Sequence, residues 1–250
     1  HWRDQFKGTE FIQVFLHYVK SRGANSFAYF DKSKNPNETS LNDHTGTFIA
    51  TDTLPQIENK ITTHYSQLAD YITIFEDLVP DDLCDHILNE FKNSNEWTPT
   101  QVGQGEVRND IRNADTINLS TTEVISKNLE TRKAIDENLF KIAGIAISKY
   151  NENFPHARIE EDTGYELLRY REGQFYIEHT DFFKARPRSV SCSIVLNDDY
   201  EGGEFAFFNK SLKYKLKKGS IIMFPSNFMF PHEIMEVTKG TRYSIITWFV

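Results

Sequence analysis

Cysteine is scarce in this sequence. The chain has 250 residues and two cysteines, Cys84 and Cys192. Two thiols this far apart make neither a disulfide framework nor a zinc-knuckle spacing, so we expect a cytoplasmic or other reducing compartment. Long apolar runs are also missing: no segment approaches the ~20 residues that a membrane helix needs, so we expect no membrane partner. The formal net charge of −8 argues against a nucleic-acid partner.

Aromatic residues, in contrast, are abundant. They make up 14% of the chain, with 20 Phe and 11 Tyr. Aromatic side chains suit the pleated, half-buried surface of a sheet, so this content favours a β-rich fold. A chain of this length accommodates one large domain, alone or with an appendage, and its core needs no disulfide to hold it together.

The first 70 residues differ in composition from the rest. Residues 1–20 end in an apolar run that predicts a strand, and residues 21–70 are predicted to be a polar linker. The N-terminal HWRDQFKGTEFIQVFLHYV is similar to the C-terminal HEIMEVTKGTRYSIITWFV. One interpretation is that residues 1–20 are the strand pair of a truncated preceding repeat. The other is coincidence between two amphipathic hairpins.

From residue 71 onward the pattern is that of a folded domain. ITIFEDLV predicts a strand, after which Pro80 and two aspartates open a helix. The apolar positions of that helix recur on one face: Leu83, Ile87, Leu88 and Phe91. A second helix is predicted from about residue 121 to residue 150, with its own apolar face: Leu139, Ile142, Ala143, Ala146 and Ile147.

Short β-type runs follow in quick succession from residue 163. Turn signals such as Glu-Gly-Gly and Lys-Lys-Gly separate them. Many short strands at this spacing are typical of a sandwich or jelly roll. Because the helices come first, we expect them to cover one outer face of the β core. The predicted fold class is therefore mainly β with flanking helices.

Two histidines and one aspartate form the pattern that indicates chemistry. His179 and Asp181 stand two residues apart in FYIEHTDFF, and on a strand their side chains would leave from the same face. His232 opens a later β-type run, and Arg242 lies on the run after it. Two His and one carboxylate suit Fe(II) with open coordination positions, while the planar fork of Arg suits a carboxylate.

With these residues in place, the chain resembles the 2-oxoglutarate/Fe(II)-dependent dioxygenases, in their prolyl 4-hydroxylase-like branch. The resemblance rests on ITIFEDLVPDDLCDHIL, LLRYREGQFYIEHTD, LNDDYEGGEFAF and KKGSIIMFPSNFMFPHEIMEVTKGTRYSIITWFV. It implies a catalytic domain at residues 71–250 with a double-stranded β-helix (jelly-roll or cupin-like) core. It also implies Fe(II), 2-oxoglutarate and O2, with ascorbate as reductant, and the iron ligands His179, Asp181 and His232.

The resemblance further implies a cosubstrate pocket. Arg242 would bind the far carboxylate of 2-oxoglutarate, with Tyr170 beside the cosubstrate and Trp248 as a wall. Some relatives have a second tyrosine near that carboxylate, on the strand SCSIVLN, but this chain has none there. Ser193 or Thr247 is therefore the expected helper of Arg242. Arg at this position, where many collagen-type members have Lys, is closer to the bacterial, viral and oxygen-sensing branches.

The implied reaction hydroxylates a C–H bond while 2-oxoglutarate is converted to succinate and CO2. The leading hypothesis is prolyl 4-hydroxylation of a peptide or protein. Candidate substrate or lid residues are Trp97, Arg108 and Arg112 in WTPTQVGQGEVRNDIRN, and Tyr176, for which core packing is the alternative. Two further hypotheses stay open: hydroxylation of a free amino acid, small metabolite or nucleobase, and a non-catalytic β-helix module for binding or assembly.

Overall fold

The structure, a computed structural model, describes residues 68–103, 105–120, 129–157, 159, 161–184 and 186–250. The predicted N-terminal strand pair, most of the predicted linker and residues 121–128 of the second predicted helix lie outside these ranges. The helices of the described residues are α1 (Asp81–Phe91) and α2 (Leu129–Asn153).

The strands follow in chain order, and their bounds are these: β1 (Thr73–Phe75), β2 (Thr98–Pro99), β3 (Arg112–Asn113), β4 (Asp115–Asn118), β5 (Glu166–Arg171), β6 (Phe175–His179), β7 (Val190–Val195), β8 (Glu201–Gly202), β9 (Phe205–Phe207), β10 (Leu212–Tyr214), β11 (Ile221–Pro225), β12 (His232–Ile234), β13 (Val237–Lys239) and β14 (Thr241–Phe249). Their lengths, mostly two to six residues, agree with the short β-type runs of the sequence.

Helix α1 begins and packs as its sequence predicts. Pro80 precedes it and two aspartates occupy its first turn, where negative charge is favourable. Its face toward the core buries Cys84, Ile87 and Phe91. Helix α2 buries Leu139, Ile142, Ala143 and Ala146, as expected, and ends at Asn153 rather than near residue 150.

The strands form two large antiparallel sheets and one small one. The seven-stranded sheet has the order β1-β11-β7-β14-β5-β4-β2, and the five-stranded sheet has the order β10-β9-β12-β6-β3. Strands β13 and β8 pair separately. The order interleaves strands from distant parts of the sequence, as in the double-stranded β-helix that the resemblance implies.

The seven-stranded sheet is buried on both faces. On β11, Ile221 and Met223 pack into the cluster that contains the α1 and α2 side chains. Their neighbour Ile222 and the aromatic Phe224 belong to the cluster between the two sheets. The alternation follows from the pleat, because successive side chains point to opposite faces. The helices thus cover one outer face of a β core, and the predicted fold class is confirmed.

Two strand predictions were too long. The run HEIMEV is divided into β12, which pairs with β6 and β9, and β13, which pairs with β8. The run ITIFEDLV is a strand only at Thr73–Phe75, because the chain turns at Asp77, which has a φ of 53°. Left-handed backbone of this kind cannot continue a strand.

The structure also shows the state of the two cysteines and the character of the two helices. Cys84 and Cys192 are both free and buried. Burial raises the pKa of the Cys84 thiol to about 11 and that of the Cys192 thiol to about 12, so both remain protonated. Within the described ranges, neither helix has the length and apolarity needed to cross a membrane.

Candidate functional site

The two predicted histidine ligands lie opposite each other on neighbouring strands. His179 ends β6, His232 begins β12, and the two residues are register partners in the antiparallel ladder. Their ring centroids are 4.3 Å apart. The ladder therefore brings together two imidazoles that are 53 positions apart in the chain.

Asp181 lies two residues beyond the end of β6, not on the strand as the sequence suggested. Its carboxylate nevertheless faces both rings. The distance from its Oδ1 to His179 Nε2 is 3.6 Å, and from its Oδ2 to His232 Nε2 is 3.5 Å. One ligand atom from each of the three residues lies within 4.8 Å of the others. The structure thus brings all three predicted ligands together.

The residues around the triad shift the pKa values of Asp181 and His232 and orient the two histidine rings. Burial disfavours the charged form of Asp181, but the two imidazoles and a hydroxyl of Ser191 outweigh it and lower its pKa. Burial and the neighbouring His179 lower the pKa of His232 to about 4. Nδ1 of His179 lies 2.9 Å from the Ile177 carbonyl, and Nδ1 of His232 lies 3.0 Å from the Phe230 carbonyl.

These features fit a divalent metal ion. A carbonyl at Nδ1 requires the proton there, so the lone pair of each ring is on Nε2, which faces the centre of the triad. Metal binding needs neutral imidazoles and an ionised carboxylate, and the lowered pKa values of His232 and Asp181 favour these states for those two residues. Two His and one carboxylate on one side of an ion is the ligand set of non-haem Fe(II) oxygenases.

The triad opens into a cavity of about 750 Å³ between the two sheets. Its walls come from β5, β7, β11, β12 and β14 and from the chain segment around residues 98–103. Aromatic side chains of the inter-sheet cluster, among them Phe205 and Phe224, line it. The cavity therefore combines apolar walls with a few polar groups, as binding sites commonly do.

Arg242 lies at this cavity and is only 2% exposed. It donates through Nη1 to the Ser244 hydroxyl at 2.7 Å, while its Nε has no partner. The hydroxyl of Ser193, which is also buried and lines the cavity, has no partner either. Unpaired donors around a buried guanidinium fit the far carboxylate of a dicarboxylate such as 2-oxoglutarate.

Of the two residues expected to assist Arg242, Ser193 and Thr247, the structure places only one at the cavity. Along β14, Arg242, Ser244, Ile246 and Trp248 line the cavity. Thr247 falls between them in the alternation, so its side chain leaves from the other face of the strand. Thr247 is therefore not among the cavity residues, whereas Ser193 is. Ser244 was not predicted at the site. It lies two residues after Arg242 on β14, so its side chain leaves from the same face of the strand.

Three of the four aromatic candidates, Tyr170, Tyr176 and Trp248, line the cavity. The Tyr170 ring lies 5.5 Å from the Arg242 guanidinium carbon, and Trp248 stacks against Arg188 at 3.5 Å. The Tyr176 ring stacks on the His179 ring, with centroids 3.5 Å apart and planes 16° apart. Burial raises the pKa of Tyr176 to about 12, so its hydroxyl stays protonated. Tyr176 is thus a wall beside the triad and not merely core.

Parts of the predicted lid segment, residues 97–113, are strands of the two large sheets. Its ends pair as β2 with β4 and as β3 with β6, while residues 98–103, Val107 and Arg112 line the cavity. Arg112 is buried and lies 4.9 Å above the Tyr176 ring. Arg108 instead forms an exposed pair with Asp110 at 2.7 Å, outside the cavity.

Trp97, a candidate substrate or lid residue, also lies outside the cavity. Its ring packs on the core next to the helices, and its Nε1 donates to the Phe91 carbonyl at 2.9 Å. The Arg169 guanidinium lies over the ring at 4.2 Å. Trp97 therefore attaches the start of the segment to α1.

Two further cavity residues had no signal in the sequence. Arg188 donates to the Asp181 backbone carbonyl at 3.3 Å and lies between Phe183 and Trp248. Ser191 donates to the Asp181 carboxylate at 2.6 Å. Both contacts depend on where the chain after Asp181 returns to β7, which local sequence patterns do not determine.

Comparison with known proteins agrees with this site. Residues 165–250 match the family described as the 2OG-Fe(II) oxygenase superfamily. Human prolyl 3-hydroxylase 2 is 40% identical over 67 residues, which cover 25% of this chain and 10% of that protein. A PKHD-type hydroxylase of Idiomarina loihiensis is 33% identical over 88 residues, 33% of this chain and 39% of that protein. The chain thus spans well under half the length of these relatives.

Solved structures with the same fold include prolyl hydroxylases. One is a prolyl hydroxylase from Trichoplax adhaerens in complex with a hypoxia-inducible-factor peptide, with a TM-score of 0.62, 20% identity, and coverage of 74% of this chain and 86% of that chain. A prolyl-4-hydroxylase from Pseudomonas putida has a TM-score of 0.57, 22% identity, and coverage of 74% and 97%. At these identities the likeness establishes the fold.

The fold, the His-Asp-His triad and the family match of residues 165–250 agree on one class, the 2-oxoglutarate- and Fe(II)-dependent oxygenases. Within that class it is similar to the prolyl hydroxylases, and the relatives that it matches in sequence are hydroxylases. The predicted family and the predicted enzyme class are both confirmed.

Proposed function

We propose that this domain hydroxylates a prolyl residue of a peptide or protein. One observation carries the substrate class: the cavity has a second group of unpaired polar atoms, apart from those around Arg242. Arg112 Nε and Thr116 Oγ1 are buried, lack hydrogen-bond partners and belong to residues that line the cavity. Amide groups of a peptide would supply the missing partners, since buried polar groups are normally paired.

The mouth of the cavity suits an apolar residue beside those amides. Val107 is 49% exposed and Phe182 is 56% exposed, and both line the cavity. Exposed apolar side chains around a concave site are typical of a surface that a ligand covers. A prolyl ring between flanking amides has this combination of apolar and polar surface.

The positions of the site residues support the roles that we propose for them. His179, Asp181 and His232 would hold Fe(II), which would supply the activation of O2 coupled to decarboxylation of 2-oxoglutarate. Arg242 and its neighbours Ser244 and Ser193 bind the far carboxylate of 2-oxoglutarate and so set its orientation.

The remaining walls exclude water and limit where a substrate enters. Phe205 and Phe224 lie beside His232, at ring-centroid distances of 5.8 Å and 4.6 Å. Trp248, held by Arg188, closes another side. A dry site strengthens the interaction of the Arg242 guanidinium with a carboxylate and protects reactive species from solvent.

The ring position to be hydroxylated is part of the proposal. We expect the 4-position from the prolyl 4-hydroxylase-like sequence pattern, and a fold neighbour is named a prolyl-4-hydroxylase. The 40% identity to human prolyl 3-hydroxylase 2 favours the 3-position as the second candidate. Mass alone does not separate the two products, so the assay below includes chromatographic standards for both.

The test is a turnover assay of the purified protein with Fe(II), ascorbate and 2-oxoglutarate. Proline-containing peptides, matched peptides with alanine for proline, free proline, other amino acids and nucleotides are compared for succinate release. We expect succinate and one added oxygen atom only with proline-containing peptides. Succinate release with free amino acids or nucleotides but not with peptides would overturn the peptide assignment and leave the oxygenase intact.

The same assay separates catalysis from a binding module. His232→Ala should abolish succinate release with every substrate because it removes an iron ligand. Equal iron content in His232→Ala and wild type would contradict the proposed ligand set. We further propose that the catalytic domain begins near residue 71 and that the protein works in a reducing compartment.

A further inference from the structure

A chain of two serine hydroxyls ends on the carboxylate of the proposed metal site. Ser191 Oγ lies 2.6 Å from Asp181 Oδ2, and Ser226 Oγ lies 2.7 Å from Ser191 Oγ. Ser191 is 3% exposed and Ser226 is 1% exposed. The register of β11 with β7 holds the two together, since Phe224 pairs with Ser191 and the Ser226 amide donates to the Ser189 carbonyl.

The direction of the two hydrogen bonds follows from the charge of Asp181. An ionised carboxylate only accepts, so Ser191 must donate its proton to Oδ2. Ser191 Oγ is then left with lone pairs, and the Ser226 hydroxyl donates to it. Both protons therefore point toward Asp181, and each bond strengthens the other in a buried setting.

The two carboxylate oxygens are thereby made unequal. Oδ2 accepts the bond from Ser191 and lies 3.5 Å from His232 Nε2, whereas Oδ1 lies 3.6 Å from His179 Nε2 and has no hydrogen-bond donor among the described residues. The Ser191 bond thus engages a lone pair of Oδ2 and fixes the direction in which the carboxylate faces the two imidazoles. A carboxylate free to turn could bind through both oxygens and occupy one more coordination position.

We propose that Ser191 and Ser226 are positioning residues that keep Asp181 a one-oxygen ligand. By fixing the orientation of the carboxylate, they would keep it from turning to bind an ion through both oxygens and so would preserve the coordination position that 2-oxoglutarate needs. The inference rests on the metal site and involves no peptide, so it stands or fails independently of the prolyl substrate.

The experiment measures Mn(II) binding to the metal-free protein and then 2-oxoglutarate binding at saturating Mn(II), both by calorimetry. Loss of partners that orient metal ligands typically lowers metal affinity roughly 10- to 100-fold. For Ser191→Ala we expect Mn(II) affinity to fall about tenfold and 2-oxoglutarate affinity at saturating Mn(II) to fall at least as much. Ser191→Thr, which keeps the hydroxyl, should restore both.

The second measurement separates positioning from a structural role. A merely structural serine would leave 2-oxoglutarate affinity at saturating Mn(II) unchanged, and that result for Ser191→Ala overturns the proposal. Ser220→Ala serves as the matched control, because Ser220 is equally buried but does not line the cavity. If Ser191→Ala does not fold, Ser226→Ala is measured instead. The proposal requires Ser226→Ala to lower 2-oxoglutarate affinity, by less than is expected of Ser191→Ala. An unchanged affinity in Ser226→Ala overturns the proposal.

Discussion

At the scale of single residues, Arg242 shows how burial identifies a binding group. It is among the largest fully buried side chains of the described residues, and none of the ion pairs found there includes it. An unpaired buried charge is costly, so a guanidinium kept in this state indicates an anion as its partner. Ser244 alone does not neutralise it.

Replacing Arg242 should therefore act on cosubstrate binding. Hydrogen bonds to charged groups contribute about 1.5–3 kcal/mol, and each ~1.4 kcal/mol is tenfold in affinity. We expect Arg242→Gln to raise the KM for 2-oxoglutarate by about 100-fold and Arg242→Lys, which keeps the charge, by about tenfold. Initial rates of succinate release against 2-oxoglutarate concentration give the values.

Thr247→Val is the control for that prediction. Thr247 lies on the same strand but on its other face, so the KM for 2-oxoglutarate should stay within twofold of wild type. A KM for Arg242→Gln within threefold of wild type would show that another group binds the carboxylate.

Two arginines of one segment give a second residue-scale prediction. Arg112 is buried at the cavity, whereas the Arg108 side chain is 47% exposed and paired with Asp110. Arg112→Gln should lower kcat/KM for a peptide substrate about tenfold, through the loss of one hydrogen bond from a charged donor. Arg108→Gln should leave it unchanged. Peptide turnover at saturating 2-oxoglutarate measures both, and equal losses in the two variants would contradict the assignment.

At the scale of elements, the strands place the site and the turns hold the strands in register. Gly202 has a φ of +72°, and a Cβ there would lie 2.2 Å from the Glu236 carbonyl. The β8–β13 pairing brings these two backbone segments together. No side chain fits this contact, so glycine is required by both conformation and space.

Alanine substitutions at two glycines should therefore have opposite effects on stability. Gly202→Ala combines the left-handed penalty of about 1–2 kcal/mol with a backbone clash, so it should destabilise by more than ~2 kcal/mol. Gly144, inside α2, has open space at its Cβ position, so Gly144→Ala should stabilise by about 0.5–1 kcal/mol. Urea unfolding followed by circular dichroism measures both. A stable Gly202→Ala protein would mean that β8 and β13 do not pair as described.

At the scale of the whole domain, the site joins segments that are distant in the chain. The triad connects β6, the segment after it and β12, and Arg242 reaches the same cavity from β14. A metal ion held by these segments binds only the folded chain. Metal binding and folding are therefore coupled.

Metal should consequently raise the melting temperature. Ligand at 100 times its Kd adds about 2.7 kcal/mol, and a domain of ~150–250 residues gains about 2–4 °C per kcal/mol. Saturating Mn(II) should thus raise the Tm by about 5–10 °C, and chelator should reverse the shift. Scanning fluorimetry provides the measurement. The shift should vanish in His232→Ala and persist in Arg242→Gln; persistence in both would place the metal elsewhere.

Much of this architecture could be predicted from the sequence, for identifiable reasons. The stripe of Ile87 and Phe91 on α1 and the short runs that became β5 to β14 are local periodicities, and burial follows them directly. The spacing of His179 and Asp181 and the distant His232 likewise indicated the metal site, because ligand chemistry restricts the residue types. That Trp97 and Arg108 lie outside the cavity could not be predicted, because nothing local shows which loop residues turn inward.

The sequence by itself therefore determined the β-rich class, the helical layer and the three residues that can hold a metal, since these depend on residue type and on periods of a few residues. Tertiary structure alone decided that Arg112 and not Arg108 lines the cavity, and that Ser191 and Ser226 meet Asp181. These contacts depend on the register between segments far apart in the chain. That register is set by how all the strands pack together, and no short stretch of sequence contains it.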